Sequence, residues 1–180
     1  MSSLQKSVKN ASSLAAAMLK FISILIAILI CVEFFQVVLN LSTLNGQMLT
    51  LWGRLPVSQS FVFEGTNGEM LSQFIFNALS HGLLLAMLIL ATAIFNDAAK
   101  YYTPFSEKQS TRLKIISLLT LALGILPPPI KMLLTLMLSP NSKASAEFQF
   151  TLPVLTIIFY SLSVVFDYGS MLQKQSDETL

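Results

Sequence analysis

From Phe74 to Phe95 the chain carries no Asp, Glu, Lys or Arg, and three other stretches are nearly as apolar: Ala16 to Leu39, Leu113 to Leu138 and, shorter, Leu152 to Asp167. A helix of about 20 apolar residues crosses the ~30 Å hydrocarbon core of a bilayer, and it does so with every backbone polar group satisfied internally. Four transmembrane helices follow, over about 16–39, 74–95, 107–138 and 152–168. Hydrophobic residues make up 54% of the 180 and charged residues only 11%, too few to clothe a soluble globule. The longest connection, 40–73, is too short to form a soluble domain, so the chain reads as one all-α membrane domain. Lys6, Lys9 and Lys20 flank the first run, but that run is longer than the roughly 7–15 residues of a signal-peptide core and no small-residue cleavage site follows it. It reads as a retained helix.

Orientation follows from the short basic flanks. Lys6, Lys9 and Lys20 precede the first helix, Lys100, Lys108, Arg112 and Lys114 lie between helices two and three, and Lys174 is in the tail. The other side has Arg54 and Lys143, and Lys131 falls within the third run. Both termini are therefore expected in the cytoplasm, and the positive-inside bias accounts for the net charge of +2. No basic domain remains to bind nucleic acid directly.

Local signals fit this layout. Ser106 followed by Gln109 is a capping box that starts the third helix near Glu107, with Pro104 blocking an earlier start. Ser139 to Ser142 reads as a turn, and Pro153 suits the first turn of helix four. Leu44, Met48, Leu51, Trp52 and Leu55 recur at helical spacing in the outer connection, which predicts a short interfacial helix with Trp52 at headgroup level. Tyr101 and Tyr102 suit the inner interface.

Within the third run, Pro127, Pro128 and Pro129 each lack an N–H, and each disfavours helical geometry in the residue before it. At the start of a helix they cost little, because the first N–H groups have no intrahelical partner. The third helix is thus expected to break there, into Glu107 to about Leu126 and about Pro127 to Leu138, leaving carbonyls near Leu123 to Leu126 unpaired. Lys131, one turn on, is a candidate donor to them.

Charged residues inside a bilayer turn toward neighbouring helices or water. Glu33 and Lys131 lie at matching depths, ~25 Å in from the inner edge at ~1.5 Å per residue. Glu33 shares a helix face with Gln36 and Asn40, and helix two offers Asn77, Ser80 and His81 in its outer half. Helix four carries Thr156, Tyr160, Ser163 and Asp167 on one stripe. These residues predict an outer-half polar cluster of Glu33, Gln36, Asn40, Asn77, His81 and Lys131, with Glu33 and Lys131 as its ion pair. Two uses fit it: a cavity that binds a ligand or passes a proton, or polar glue between helices. Asp97 and Asp167, near inner helix ends, are expected to be solvated or paired with Lys20 or Lys114.

Catalytic motifs are absent: there is no Cys/His cluster or HExxH for a metal, no GxSxG, no P-loop and no GxGxxG. A single cysteine, Cys31, builds neither a disulfide nor a thiolate metal site within one chain. The reading is a non-enzyme without cofactor or metal.

Two segments, Tyr101 to Leu119 and Phe166 to Leu180, resemble the signatures of bacterial domain-of-unknown-function family 2975, small four-helix membrane proteins. Pro104, Phe105 and Ser106, followed by Arg112 and Leu113, match the family's turn into helix three. Gly169, Leu172, Gln173, Asp177, Glu178, Thr179 and Leu180 match its terminal pattern. The resemblance implies topology and a bacterial inner-membrane location. It also implies a partner, a small helix-turn-helix regulator, docked on a cytoplasmic face comprising Tyr102, Pro104, Phe105, Ser106, Arg112, Gly169, Gln173, Asp177 and Glu178; the alternative is that Pro-Phe-Ser only caps helix three while the tail packs under the bundle. Two functions stay open: a sensory, regulatory or tolerance module that signals through that face, and a small transporter or proton conductor, as a homo-oligomer, that uses the outer cluster.

Overall fold

The computed structural model describes residues 3–42, 67–101, 106–140 and 148–178, all of it helical apart from short connections. The helices are α1 (Ser3–Ser42), α2 (Asn67–Tyr101), α3 (Glu107–Ile125), α4 (Pro127–Leu138) and α5 (Thr151–Glu178). Together they give four helices long and apolar enough to cross a membrane, with α3 and α4 acting as one. The segment expected to form an interfacial helix, including Trp52, lies outside the described residues.

The helices outrun the apolar stretches. α1 has 40 residues and α2 has 35, about 60 and 50 Å at ~1.5 Å per residue. Hydropathy marks only the part of a helix suited to lipid, whereas the helix itself continues until a breaker or a cap stops it. The first glycine or proline beyond α1 is Gly46, and α2 ends shortly before Pro104. The residues after Asp167, expected to be a tail, likewise continue α5 to Glu178, through Gly169.

Ser106 caps α3 as expected, its Oγ accepting the Gln109 N–H at 3.3 Å from an extended backbone conformation. The box is only half made, because the buried Gln109 Oε1 has no hydrogen-bond partner among the described residues. Between α3 and α4 a single residue, Leu126, is non-helical by hydrogen bonding, yet its φ of −78° and ψ of −48° are helical values. The Leu126 N–H reaches the Ala122 carbonyl at 2.9 Å, and the Ile130 N–H reaches the Leu126 carbonyl at 3.3 Å. The loss is therefore confined to the carbonyls of Leu123, Gly124 and Ile125, whose donors would be the three prolines. Leu126, expected among the unpaired carbonyls, is satisfied.

Small polar side chains make the interior: Ser72, Ser110, Ser117, Thr120, Thr135 and Ser163 are buried, while Phe21, Ile24, Leu133, Met137, Ile157 and Tyr168 face outward. This inverts the order of a soluble protein and is what lipid favours, since small residues let helices approach and hydrogen-bond while large apolar ones meet acyl chains. Thr135 Oγ1 donates to Ser72 Oγ at 3.0 Å across α4 and α2, and Ser110 Oγ donates to the Ser163 carbonyl at 2.9 Å across α3 and α5.

Among the described residues, α1 packs only on α2 and α5 only on α3, while α2 packs along both α3 and α4. The helices thus form a row rather than a closed bundle. α5 begins beside the proline break, where a Cβ on Gly124 would sit 3.1 Å from Leu152 Cβ, and α4 continues beyond it.

Candidate functional site

The row decides which polar groups meet. Glu33 on α1 is 5% exposed and lies against α2. Its Oε1 accepts from Asn77 Nδ2 at 3.2 Å, and its Oε2 is 3.4 Å from His81 Nδ1. Asn77 Oδ1 in turn accepts from Gln73 Nε2 at 2.8 Å. Gln73, Asn77 and His81 stand at i, i+4 and i+8, so one face of α2 presents them in a line toward α1. Phe34 and Phe74, with ring centroids 6.3 Å apart, close the same seam nearby.

The expected Glu33–Lys131 pair does not form. Lys131 is on α4, with Nζ 5.2 Å from the centroid of the Phe76 ring, and α1 and α4 do not touch because α2 stands between them. Matching depth placed the two charges at one level but could not reveal the intervening helix. Nor does Lys131 appear on the carbonyls freed by the prolines.

The polar stripe of helix four, outside the expected cluster, stays apart from it because α5 packs on neither α1 nor α2. Thr156 and Ser163 bond to their own helix, Tyr160 is exposed, and Asp167 pairs with Lys114 as expected, at 2.6 Å. Ser80 also bonds inward, to the Phe76 carbonyl. Gln36 and Asn40 lie in α1, but their side chains are outside the described residues. Gln73 was missed because the apolar run begins one residue later; its spacing of four from Asn77 was the available signal.

The other end of the row is held by ions. Arg112 Nη1 bonds Asp97 Oδ2 at 2.6 Å, tying α3 to α2, and Lys114 ties α3 to α5. Asp97 thus takes Arg112, a partner not among those expected for it. Lys174 reaches Glu107 at 3.4 Å with both side chains mostly exposed. Of the residues expected at a docking face, Ser106 caps α3, Arg112 is engaged by Asp97, and Gly169 and Gln173 are half-buried on α5 with Glu178 exposed at its end. Tyr102, Pro104 and Phe105 lie outside the described residues, as does the side chain of Asp177.

Among the described residues no three His, Cys, Asp or Glu side chains converge to hold a metal. The chemistry on offer is a buried carboxylate with two hydrogen-bonding partners on one helix. Comparison of the chain with protein-family models, with curated proteins and with solved structures finds no match.

Proposed function

We propose that this chain is a non-catalytic, multi-pass membrane protein of the bacterial inner membrane that acts as a sensory or regulatory module, with both termini and its output surface in the cytoplasm. The observation that carries the reading is α2. One uninterrupted helix bears the Asn77 and His81 partners of Glu33 in its first half and the Asp97 partner of Arg112 near its C-terminal end, about 24 Å beyond His81 at ~1.5 Å per residue. A change at the Glu33 joint that shifts or turns α2 is delivered to the ends of α3 and α5 through ion pairs. The output partner implied by the resemblance to family 2975 is a small helix-turn-helix regulator.

The test is photo-crosslinking in native membranes from a probe at Lys108, which is exposed in the first turn of α3. Capture of a soluble DNA-binding protein, at a yield altered by Asn77→Leu, is the expected result; capture of only lipid and the chain itself counts against the module. A second reading, a proton or ion conductor, is favoured by one observation, the burial of Glu33. It requires a flux into liposomes that Glu33→Gln abolishes.

A further inference from the structure

We infer that Glu33 and His81 together form a proton-binding site that is loaded from the N-terminal end of α2 and closed toward its C-terminal end. A neutral imidazole has one N–H and one acceptor nitrogen, and the hydrogen bond made by one fixes the role of the other. With Nδ1 donating to Glu33 Oε2, the lone pair left for chemistry is on Nε2. Uptake of a proton from hydronium forms one N–H bond at Nε2 and breaks none in the dyad. The imidazolium then faces a carboxylate already held by Asn77, and the seam changes from one negative charge to neutral. Neutralising a charge in a low-dielectric seam changes how tightly α1 holds α2.

The two side chains divide the work. The Glu33 side chain is 6% exposed and serves as the fixed counter-ion, while that of His81, 29% exposed at the edge of the seam, is the one assigned to take up the proton. Toward the start of α2 the stripe continues through Asn77 and Gln73 to Glu69, about 18 Å of polar spacing at ~1.5 Å per residue, with amides that carry no proton themselves but can hydrogen-bond water that does. In the other direction the next residues at helical spacing are Leu84, Leu85 and Leu88 on α2 and Leu29, Ile30 and Ile26 on α1, all apolar. None of these side chains can carry a proton onward. The titratable groups nearest the seam on the elements around it are Glu69 on α2, Lys131 against the Phe76 side of α2, and Cys31, exposed on α1, while Lys6, Lys9 and Lys20 on α1 and Asp97, Lys100 and Tyr101 on α2 lie beyond the apolar residues at the closed end. Under the orientation proposed above, the open end faces outward and the stimulus of the module is external acidity; this last step rests on that reading.

The chain has one histidine, so nitrogen NMR of the 180-residue chain labelled with 15N-histidine reads His81 alone. The protein is reconstituted in liposomes with its sidedness set by protease digestion of the ends, and pyranine is trapped in a strongly buffered lumen. The expected result is protonation of Nε2 as the pH falls on the side bearing the start of α2, with Nδ1 protonated throughout and the lumenal pyranine signal unchanged. Glu33→Gln should shift the Nδ1 resonance, which reports the contact with Glu33 Oε2. The inference is overturned if Nε2 stays unprotonated wherever the protein is folded, if it follows the pH on the opposite side, or if protons reach the lumen through wild type but not through Glu33→Gln. The wild-type sidedness measurement stands even if that variant fails to fold. A site that titrates as expected while Lys108 captures no soluble partner would keep the proton site and remove the signalling role.

Discussion

At the scale of single residues, Glu33 shows how a membrane helix accommodates a carboxyl group: on the facing helix Asn77 Nδ2 donates to one oxygen, and His81 Nδ1 stands 3.4 Å from the other. Glu33→Leu leaves Asn77 Nδ2 and His81 Nδ1 without that acceptor, and is expected to lower stability by about 1–2 kcal/mol, whereas Glu33→Gln keeps an acceptor and should cost less. Reversible unfolding in mixed micelles measures both. Two glycines separate packing from propensity. A Cβ on Gly68 would run into the Leu138 carbonyl oxygen and Ser139 Oγ, but one on Gly82 meets nothing within 4 Å. Gly68→Ala should therefore destabilise by about 1–3 kcal/mol, since the obstacle includes backbone. Gly82→Ala should be neutral or stabilising by up to about 1 kcal/mol, and thermal melts of the pair settle the contrast.

At the scale of elements, the proline triplet removes donors without redirecting the chain far, because Leu126 already has helical dihedrals and its own N–H and carbonyl are paired. Replacing Pro127, Pro128 and Pro129 with alanine supplies N–H groups to the Leu123, Gly124 and Ile125 carbonyls. The expected outcome is slower hydrogen exchange across 123–130 with the Thr135–Ser72 bond retained, read by exchange mass spectrometry and by the response to Ser72→Ala. Loss of α4 packing in the alanine variant would show that the prolines set the direction of α4 as well as its start. The break was legible in the sequence because proline chemistry is local. The satisfaction of Leu126 was not, since it depends on backbone angles that the prolines permit and do not impose.

At the scale of the whole molecule, a row of helices leaves broad apolar faces on α1 and α5, with Ile157 67% exposed. Lipid is the natural solvent for such faces. Ile157→Asp puts a charge on one of them and should cost about 2.5–3.5 kcal/mol of insertion free energy if that position is central in the bilayer, read as the inserted fraction in a translocation assay. A loss near zero would mean that α5 presents this side to protein or water. Asp97, Arg112, Lys114 and Asp167 clamp α2, α3 and α5 near one end, while toward the other Glu33 meets Asn77 and His81 and Thr135 bonds Ser72.

The number of helices, the start of α3 at Ser106 and the break at Pro127 are written locally, in apolar runs, a cap and missing donors, and so could be read directly from the chain. The candidate site was readable in part. Glu33, Asn77 and His81 stood out as polar groups in apolar runs, and counting residues put all three in the outer half of the membrane. Which groups would pair was another matter, because a pairing depends on which helix lies next to which. Depth along a helix follows from counting residues, but order across the membrane plane depends on how whole surfaces of small and large side chains fit together. Only the packed row, with α2 between α1 and α4, gave Glu33 to Asn77 and His81 and left Lys131 over Phe76.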